Sequence, residues 1–394
     1  MTAFRDGQVT LRERRRTEGF TNAIQEIGYQ GIRIGDLVVH GMDGFAGAIG
    51  VSDSDGKSSP VVHAYRANEK AEARYFAYAL RTLAVNGYVS TLAKGIRERS
   101  TAFDASTLAN VLLPVPPLEE QRRIADFLDA ETARIDALTN ARDAQLSILG
   151  ERELSIIGHM LSGGATSQEG RATGWPWLPY VPAGWSIGPV YAYYSAELGK
   201  MLNPERASGE SLRPYLRNAN IHWYEIDTLD MASMHFEAGE VRRYSVAAGD
   251  LLVCEGGAGI AEAAVWDGRI EECYFQKSLH RVRQVGAVPV EWLMYWLRFA
   301  KASGVFDAGG NLATIPHLTG EQLRQYRIPI PLDGKALVRE TGRSIDDMAK
   351  ARALLNRAKT KLSERRQALI TAAVTGQFDV STASGRNVTD GVSA

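Results

Sequence analysis

The chain has 394 residues, more than one ordinary domain needs, so we expect two or three folded units. Hydrophobic residues make up 45% and charged residues 23%, which is typical of a soluble globular protein, and the absence of any apolar run of about 18 residues excludes a membrane span. The two cysteines predict reduced thiols in a cytoplasmic protein rather than a metal site. A formal net charge of −1 means that any nucleic-acid surface must be local.

The first half begins with strands and ends in a long helix. Residues 1–117 predict a mixed α/β domain, in which β-branched and aromatic stretches precede an amphipathic helix around Tyr78. A Pro-x-Pro segment then stiffens the chain. A helix is predicted over 118–161, with apolar positions mostly three, four or seven residues apart. These positions are Ile124, Leu128, Ile135, Leu138, Leu146, Leu149, Ile156 and Met160.

The second half follows the same plan after a polar connection. Residues 162–178 are predicted to be a Gly/Ser-rich linker, and residues 179–331 a second mixed α/β domain. A second long helix is predicted over 332–376, followed by a flexible tail over 377–394. Its seam is expected to contain Val338, Ile345, Met348, Leu355, Leu362 and Leu369.

Four sequence matches indicate that the chain is a tandem duplication. They occur in the same order, at separations of 210 to 217 residues. GDLVV at 35–39 recurs as GDLLV at 249–253, FAYALR at 76–81 as LMYWLR at 293–298, LPVP at 113–116 as IPIP at 328–331, and IDALTNAR at 135–142 as IDDMAKAR at 345–352.

The two long helices are expected to pair with each other. Residues 118–161 contain nine acids and five bases, whereas residues 332–376 contain five acids and ten bases, so opposite charges favour this pairing. The fold class is therefore predicted to be α+β, with two mixed α/β domains separated by two long antiparallel coiled-coil helices and a pseudo-two-fold internal repeat. Such a molecule suits duplex DNA with two half-sites, but a two-headed protein-interaction scaffold without DNA function has the same plan.

Several segments resemble the specificity subunits of Type I restriction–modification systems. LPVPPLEEQRRI at 113–124 and the following helix resemble their central conserved region, and ERRQALITAAVTG at 364–376 with Asp379 resembles their distal one. LPYVPAGW at 178–185 resembles the opening of a target recognition domain, and Thr314-Ile315-Pro316 resembles the segment before its exit helix. Only 34 residues precede Gly35, whereas Trp185 stands 64 residues before Gly249. Either the sequence begins late or the first recognition domain is shortened, so recognition of a half-site by residues 1–112 is left open.

The resemblance implies a non-catalytic subunit of a restriction endonuclease and adenine DNA methyltransferase complex. Its two target recognition domains would each recognise one half of a bipartite DNA site, and its conserved helices would dock two methyltransferase subunits, which restriction and translocase subunits then join. No cofactor is implied for this chain, since the methyltransferase subunit holds S-adenosylmethionine in this family. The sequence itself contains no phosphate-binding loop of the GxxxxGK[ST] type.

Arginine, lysine, asparagine and glutamine side chains are the candidates for DNA contacts, because they reach base edges and phosphates. Two clusters stand out in the second domain, and a glycine-rich loop at 309–311 adds Asn311. In the first domain, Arg97 and Arg99 form the best pair, and the bases at 14–16 are a candidate phosphate-steering patch. The clusters of the second domain consist of Arg213, Arg217, Asn218 and Asn220, and of Gln276, Lys277, His280 and Arg281. Ordinary solvated strands and helix faces are the alternative interpretation of each group.

Overall fold

The computed structural model describes residues 1–15, 27–88, 105–167, 169–201, 212–257, 259–306 and 317–382. It divides into two compact units. The first unit contains residues 1–144 and 355–394, and the second contains residues 145–354. Each unit therefore holds one strand-rich domain together with part of each long helix, whereas the sequence suggested separate domain and helix boundaries. None of the described helices is apolar over a length that would cross a membrane.

Short antiparallel strands build the domain of the first unit. They are β1 (Thr2–Ala3), β2 (Val9–Thr10), β3 (Gln30–Ile32), β4 (Leu37–His40), β5 (Ile49–Val51), β6 (Gly56–Ser58) and β7 (Val62–Tyr65). The main sheet has the order β5-β4-β7. Both faces of its central strand are buried, because Leu37 and Val39 contact one apolar cluster and Val38 contacts another. Two helices follow, α1 (Ala73–Val85) and α2 (Ala105–Ala109).

The second unit has the larger domain. Its strands are β8 (Gly170–Trp175), β9 (Leu178–Pro182), β10 (Ser186–Pro189), β11 (Tyr194–Leu198), β12 (Leu212–Leu216), β13 (Ile221–His222), β14 (Glu225–Ile226), β15 (Ala232–His235), β16 (Leu251–Cys254), β17 (Ala263–Val265), β18 (Tyr274–Phe275), β19 (Leu279–Gln284) and β20 (Arg327–Ile330). The remaining helices of the chain are α3 (Leu118–Ser162), α4 (Ala238–Tyr244), α5 (Val290–Ala302), α6 (Gly320–Gln325) and α7 (Gly334–Val374), of which α3 and α7 belong partly to each unit. Part of the predicted linker is ordered, because β8 pairs with β9.

The duplication inferred from the sequence is visible in both domains. The order β5-β4-β7 of the first unit recurs as β17-β16-β19 in the second, where β11 adds a fourth strand beside β19. Helices α1 and α5 each have 13 residues and carry the matching tyrosine motifs. The repeated glycines Gly35 and Gly249 have φ values of 87° and 89°. A side chain is strained at such angles, so glycine at both turns explains why this part of the repeat is retained.

The two long helices pair antiparallel within each unit. In the first unit, Arg366 lies 3.6 Å from Asp136, and Lys359 forms an ion pair with Asp143. Residues later in α3 therefore pair with residues earlier in α7, as antiparallel helices require. In the second unit, Arg352 lies 2.5 Å from Glu153, which continues the same direction of pairing. The fold class predicted from the sequence is confirmed, and charged pairs between the helices accompany it.

One predicted seam position is wrong. Leu138 is 41% exposed, because the seam of α3 follows a strict alternation of four- and three-residue steps that passes through Ile135 and Thr139 instead. Polar residues occupy some seam positions, including the buried Thr132 and Glu153. A search for apolar residues alone therefore selects Leu138, although the neighbouring Thr139 occupies the seam position.

Candidate nucleic-acid interface

Four loops of the second unit meet at one edge of its domain, which we call the loop edge. It comprises residues 217–220, 255–257, 276–278 and 317–319. The first loop follows β12, the second follows β16, the third joins β18 to β19, and the fourth precedes α6. Strands that end together thus bring residues distant in sequence to one surface.

Backbone and side-chain hydrogen bonds hold these loops together. The Asn218 side-chain Nδ2 donates to the Gly256 carbonyl at 2.8 Å, and the Asn218 backbone N–H donates to the Ser278 hydroxyl at 3.3 Å. The Glu255 backbone N–H donates to the Ser278 carbonyl at 2.9 Å, and Gly256 forms a β-bridge with His317. The loop edge is therefore a defined arrangement rather than four independent turns.

The loop edge presents polar groups with little net charge. Lys277 and His317 are exposed, while Arg217, Asn218 and Gln276 are half-buried. Arg217 donates to the Asp230 carboxylate at 2.7 Å, which compensates its charge. The Asn218 Oδ1 is buried and has no hydrogen-bond partner among the described residues. Amides and bases of this kind contact base edges and phosphates in DNA.

Three of the predicted DNA contacts are instead structural, which corrects the sequence-based prediction. Asn220 is 2% exposed, His280 0% and Arg281 4%, so none of them presents a side chain to a ligand. Burial lowers the pKa of His280, and its Nε2 is 2.8 Å from the Leu318 carbonyl, to which the neutral ring donates. Arg281 donates to the Ser245 carbonyl and to the Glu197 carboxylate. The polar residues His280 and Arg281 of β19 therefore form hydrogen bonds inside the domain.

Asn220 offers a test of this structural role. Its Oδ1 accepts from the Arg217 backbone, and its Nδ2 donates to the Asp227 and Asp230 carbonyls at 2.9 and 3.0 Å. Asn220→Ala should destabilise the second unit by about 1–3 kcal/mol, because buried backbone groups lose their partners. Urea unfolding followed by tryptophan fluorescence measures this loss of stability. Leu229→Ala is the control, because Leu229 is 95% exposed. A variant as stable as the control but with altered DNA sequence preference would contradict the assignment.

The other residues predicted to contact DNA lie either elsewhere in the structure or outside the described residues. Arg213 lies in β12, where it pairs with Glu272, and it is not part of the loop edge. Arg14 lies 3.6 Å from Asp53, and Arg15 lies 2.8 Å from Asp6. Arg97, Arg99, Asn311 and the glycine-rich loop at 309–311 lie outside the described residues. His317 was not selected from the sequence, although it directly follows the Thr-Ile-Pro segment that was.

A buried carboxylate joins the domain of the second unit to both long helices. Glu153 of α3 is 1% exposed at its side chain. It accepts hydrogen bonds from the Tyr224 hydroxyl and from Arg298 of α5, both at 2.8 Å, and from Arg352 of α7. Burial by itself raises the pKa of the Glu153 carboxyl, but the hydrogen bonds from Arg298, Tyr224 and Arg352 lower it below its usual value. This network fixes the orientation of the domain on the helices.

Comparison with known proteins places part of this architecture in a family. Residues 41–147 match the family described as Type I restriction modification DNA specificity domain. The chain carries a Type I DNA specificity domain. The resemblance to Type I specificity subunits is thereby confirmed, and no curated protein matches the chain significantly.

Three solved structures are similar to this chain to different degrees. One, described as showing complex assembly and conformational transition of the type I R-M system, has a TM-score of 0.66 at 19% identity and covers 89% of this chain and 84% of its own. The HsdS subunit from Thermoanaerobacter tengcongensis has a TM-score of 0.46 at 20% identity, with coverages of 88% and 82%. The Type-I system S subunit from M. genitalium has a TM-score of 0.41 at 13% identity, with coverages of 95% and 90%. At a TM-score of 0.66, the chain shares its fold with the first of these structures.

Proposed function

We propose that this chain is the DNA-specificity subunit of a Type I restriction–modification complex and has no active site of its own. The observation that carries the proposal is that a matched DNA specificity domain belongs to a duplicated strand–helix plan, each copy of which packs on a pair of antiparallel helices. Each copy would recognise one half of a bipartite site, and the helix pair would determine the spacer between them.

The loop edge is the proposed DNA-contacting surface of the second domain. Asn218 and Gln276 supply amides for base edges, and Lys277 supplies a cation for phosphates. Arg217 would contact a phosphate by exchanging its exposed partner Asp230 for it. For the first domain the proposal retains Arg97, Arg99 and the bases at 14–16, and for the second it retains Asn311. In this proposal, Arg213 stabilises the strand that leads into the loop edge, since Glu272 already pairs with it.

Partner subunits are needed to explain tight binding. Residues 175–331 contain 14 bases and 17 acids, so phosphate neutralisation by this domain alone is weak. We propose that two methyltransferase subunits dock on the helices and close around the duplex, and that restriction and translocase subunits join them. Comparable nanomolar affinity of the isolated chain and the assembled complex at physiological salt would argue against this part of the proposal.

Two substitutions separate phosphate contacts from base recognition at the loop edge. Lys277→Ala should weaken binding of all sequences alike and reduce the slope of log affinity against log salt by about 1. Asn218→Ala should relax the preference at one base position, at a cost of about 1–3 kcal/mol. Fluorescence anisotropy of the methyltransferase-bound complex measures both effects. Arg242→Ala removes an exposed charge outside the loop edge and serves as control. Sequence preference that survives Asn218→Ala would remove this residue from the interface.

The proposed function itself is tested by methylation in cells. The chain is co-expressed with a Type I methyltransferase subunit from the same genome, and modified adenines are located by sequencing. A bipartite motif is expected, and exchanging residues 180–330 for those of another specificity subunit should change one half of it. Methylation that is absent, or that is unaffected by the exchange, would leave the two-headed protein scaffold as the better interpretation.

A further inference from the structure

Each domain places a short hairpin beside the repeated sheet. In the first unit the hairpin consists of β1 and β2, and Val9 forms a bridge with Ser52 at the end of β5. In the second unit it consists of β13 and β14, and the Tyr224 backbone N–H donates to the Ala263 carbonyl of β17. The two hairpins are therefore structural equivalents, and their turns differ in what they contact.

The hairpin of the second unit closes on a buried anion. Its turn residue Tyr224 has a φ of 68°, a strained value for a large side chain, and its hydroxyl reaches Glu153. Arg298 of α5 donates to the same carboxylate. The space between hairpin, helix α5 and the long helices is thus filled by an aromatic ring and a carboxylate.

The equivalent space in the first unit is a cleft of about 1000 Å³. Its hairpin turn contributes Asp6, Gly7 and Gln8 to the wall, and β5, α1, α3 and α7 contribute the rest, including Tyr78, Arg81, Ser363 and Arg366. Arg81 stands where the sequence repeat places Arg298 in the second unit. It donates to the Gly47 and Arg5 carbonyls at 3.2 and 3.5 Å, and it forms no ion pair among the described residues. We call this space the Arg81–Arg366 cleft.

Arg81 lacks the carboxylate that its counterpart Arg298 has in the second unit, and Arg366 beside it donates no hydrogen bond to a carboxylate among the described residues. Arg366 is 3.6 Å from Asp136, too far for a hydrogen bond, and its buried Nε has no acceptor among the described residues. Burial lowers the pKa of Arg81, and the positive charge of Arg366 lowers it further. The other arginine of the cleft, Arg74, is already compensated by Glu72, Asp126 and Asp129. An unsatisfied N–H and two neighbouring like charges both favour an anion between Arg81 and Arg366.

We propose that the Arg81–Arg366 cleft binds a small molecule that carries a phosphate group. The oxyanion takes the position that the Glu153 carboxylate fills in the second unit, and the volume is at the upper end of the range for small-molecule pockets. Tyr78, whose hydroxyl donates to Asp129 at 2.7 Å, offers a ring against which a flat group can pack. This inference depends on the fold of the first unit and is independent of DNA recognition.

Calorimetric titration of the full chain with AMP and with inorganic phosphate tests the proposal. Saturable binding of both probes is expected, and Arg366→Gln should weaken it roughly tenfold or more, because charged hydrogen bonds are lost. Arg357→Gln removes an exposed arginine from the same helix and should bind like the wild type. Absence of saturable heat at millimolar probe, or equal affinity in wild type and Arg366→Gln, would overturn the proposal.

A second variant supplies the missing carboxylate from the protein itself. Ser363→Glu places an acid on the wall of the cleft, next to Arg366 on the same helix. It should abolish phosphate and AMP binding while raising the thermal stability of the chain, since the two arginines gain a partner. Unchanged probe binding in a folded Ser363→Glu protein would show that the probes bind elsewhere and would also overturn the proposal.

Discussion

The Glu153→Ala variant should lose about 3–5 kcal/mol of stability in the second unit, because two guanidinium groups and a phenol are left without their common acceptor. The carboxylate is buried and contacts the domain through Tyr224 and Arg298 and the second helix through Arg352. Its removal affects three elements at once. In the assembled complex, the same change should broaden the spacer lengths that are methylated, since the domain is no longer fixed on the helices.

Tryptophan fluorescence measures this loss in one unit. All seven tryptophans of the chain lie between Trp175 and Trp296, within the second unit, so their signal during urea unfolding reports on that unit. Glu151→Ala provides the control, because Glu151 is an exposed acid two residues before Glu153 on α3. A Glu153→Ala protein as stable as this control would show that the network contributes no net stabilisation.

The pH dependence of stability follows from the lowered pKa of Glu153. A carboxyl whose pKa is lower in the folded than in the unfolded state stabilises the fold above the unfolded value, about 4.3, and loses this contribution as the pH falls through the folded value. The second unit of the wild type should therefore destabilise more steeply below about pH 4 than that of Glu153→Gln. Identical pH profiles of the two proteins would contradict the assignment.

Adding one heptad to both long helices should lengthen the methylated spacer by about three base pairs. Seven helical residues add about 10.5 Å, and B-DNA advances about 3.4 Å per base pair. Duplication of residues 139–145 in α3 and of residues 351–357 in α7 inserts the heptads at opposing positions, as the pairs Asp136–Arg366 and Asp143–Lys359 indicate. Both duplications preserve the alternation of the seam.

Sequencing of methylated adenines after co-expression with the methyltransferase subunit measures the spacer. A copy of either seven-residue segment inserted after Thr382, beyond α7, should leave the spacer unchanged. A heptad in α3 alone should impair folding, because it moves Glu153 out of register with Arg352. A doubly extended chain that folds and methylates with the original spacer would end the hypothesis that the helices determine the separation.

Much of the candidate interface could not be predicted from the sequence. Asn218 and Asn220 both belong to the first loop of the loop edge, yet Asn218 is half-buried and Asn220 is fully buried. His280 and Arg281 have the chemistry of DNA contacts, but β19 is an inner strand of its sheet, so their side chains satisfy carbonyls and a carboxylate instead. Residue type and spacing do not reveal which polar groups a sheet encloses.

The sequence by itself determined the architecture of this protein. The repeated motifs, the heptad spacing and the opposite charges of the two helices predicted duplicated domains and an antiparallel helix pair, because periodicity and charge act locally along the chain. Only the tertiary structure decided that Glu153 joins a domain to both helices and that the equivalent space of the first unit is an open cleft. Those outcomes depend on contacts between residues as far apart as Glu153 and Arg352, which pair at 2.5 Å once the chain has folded. Burial and the satisfaction of polar groups are properties of that packing, and no local pattern encodes them.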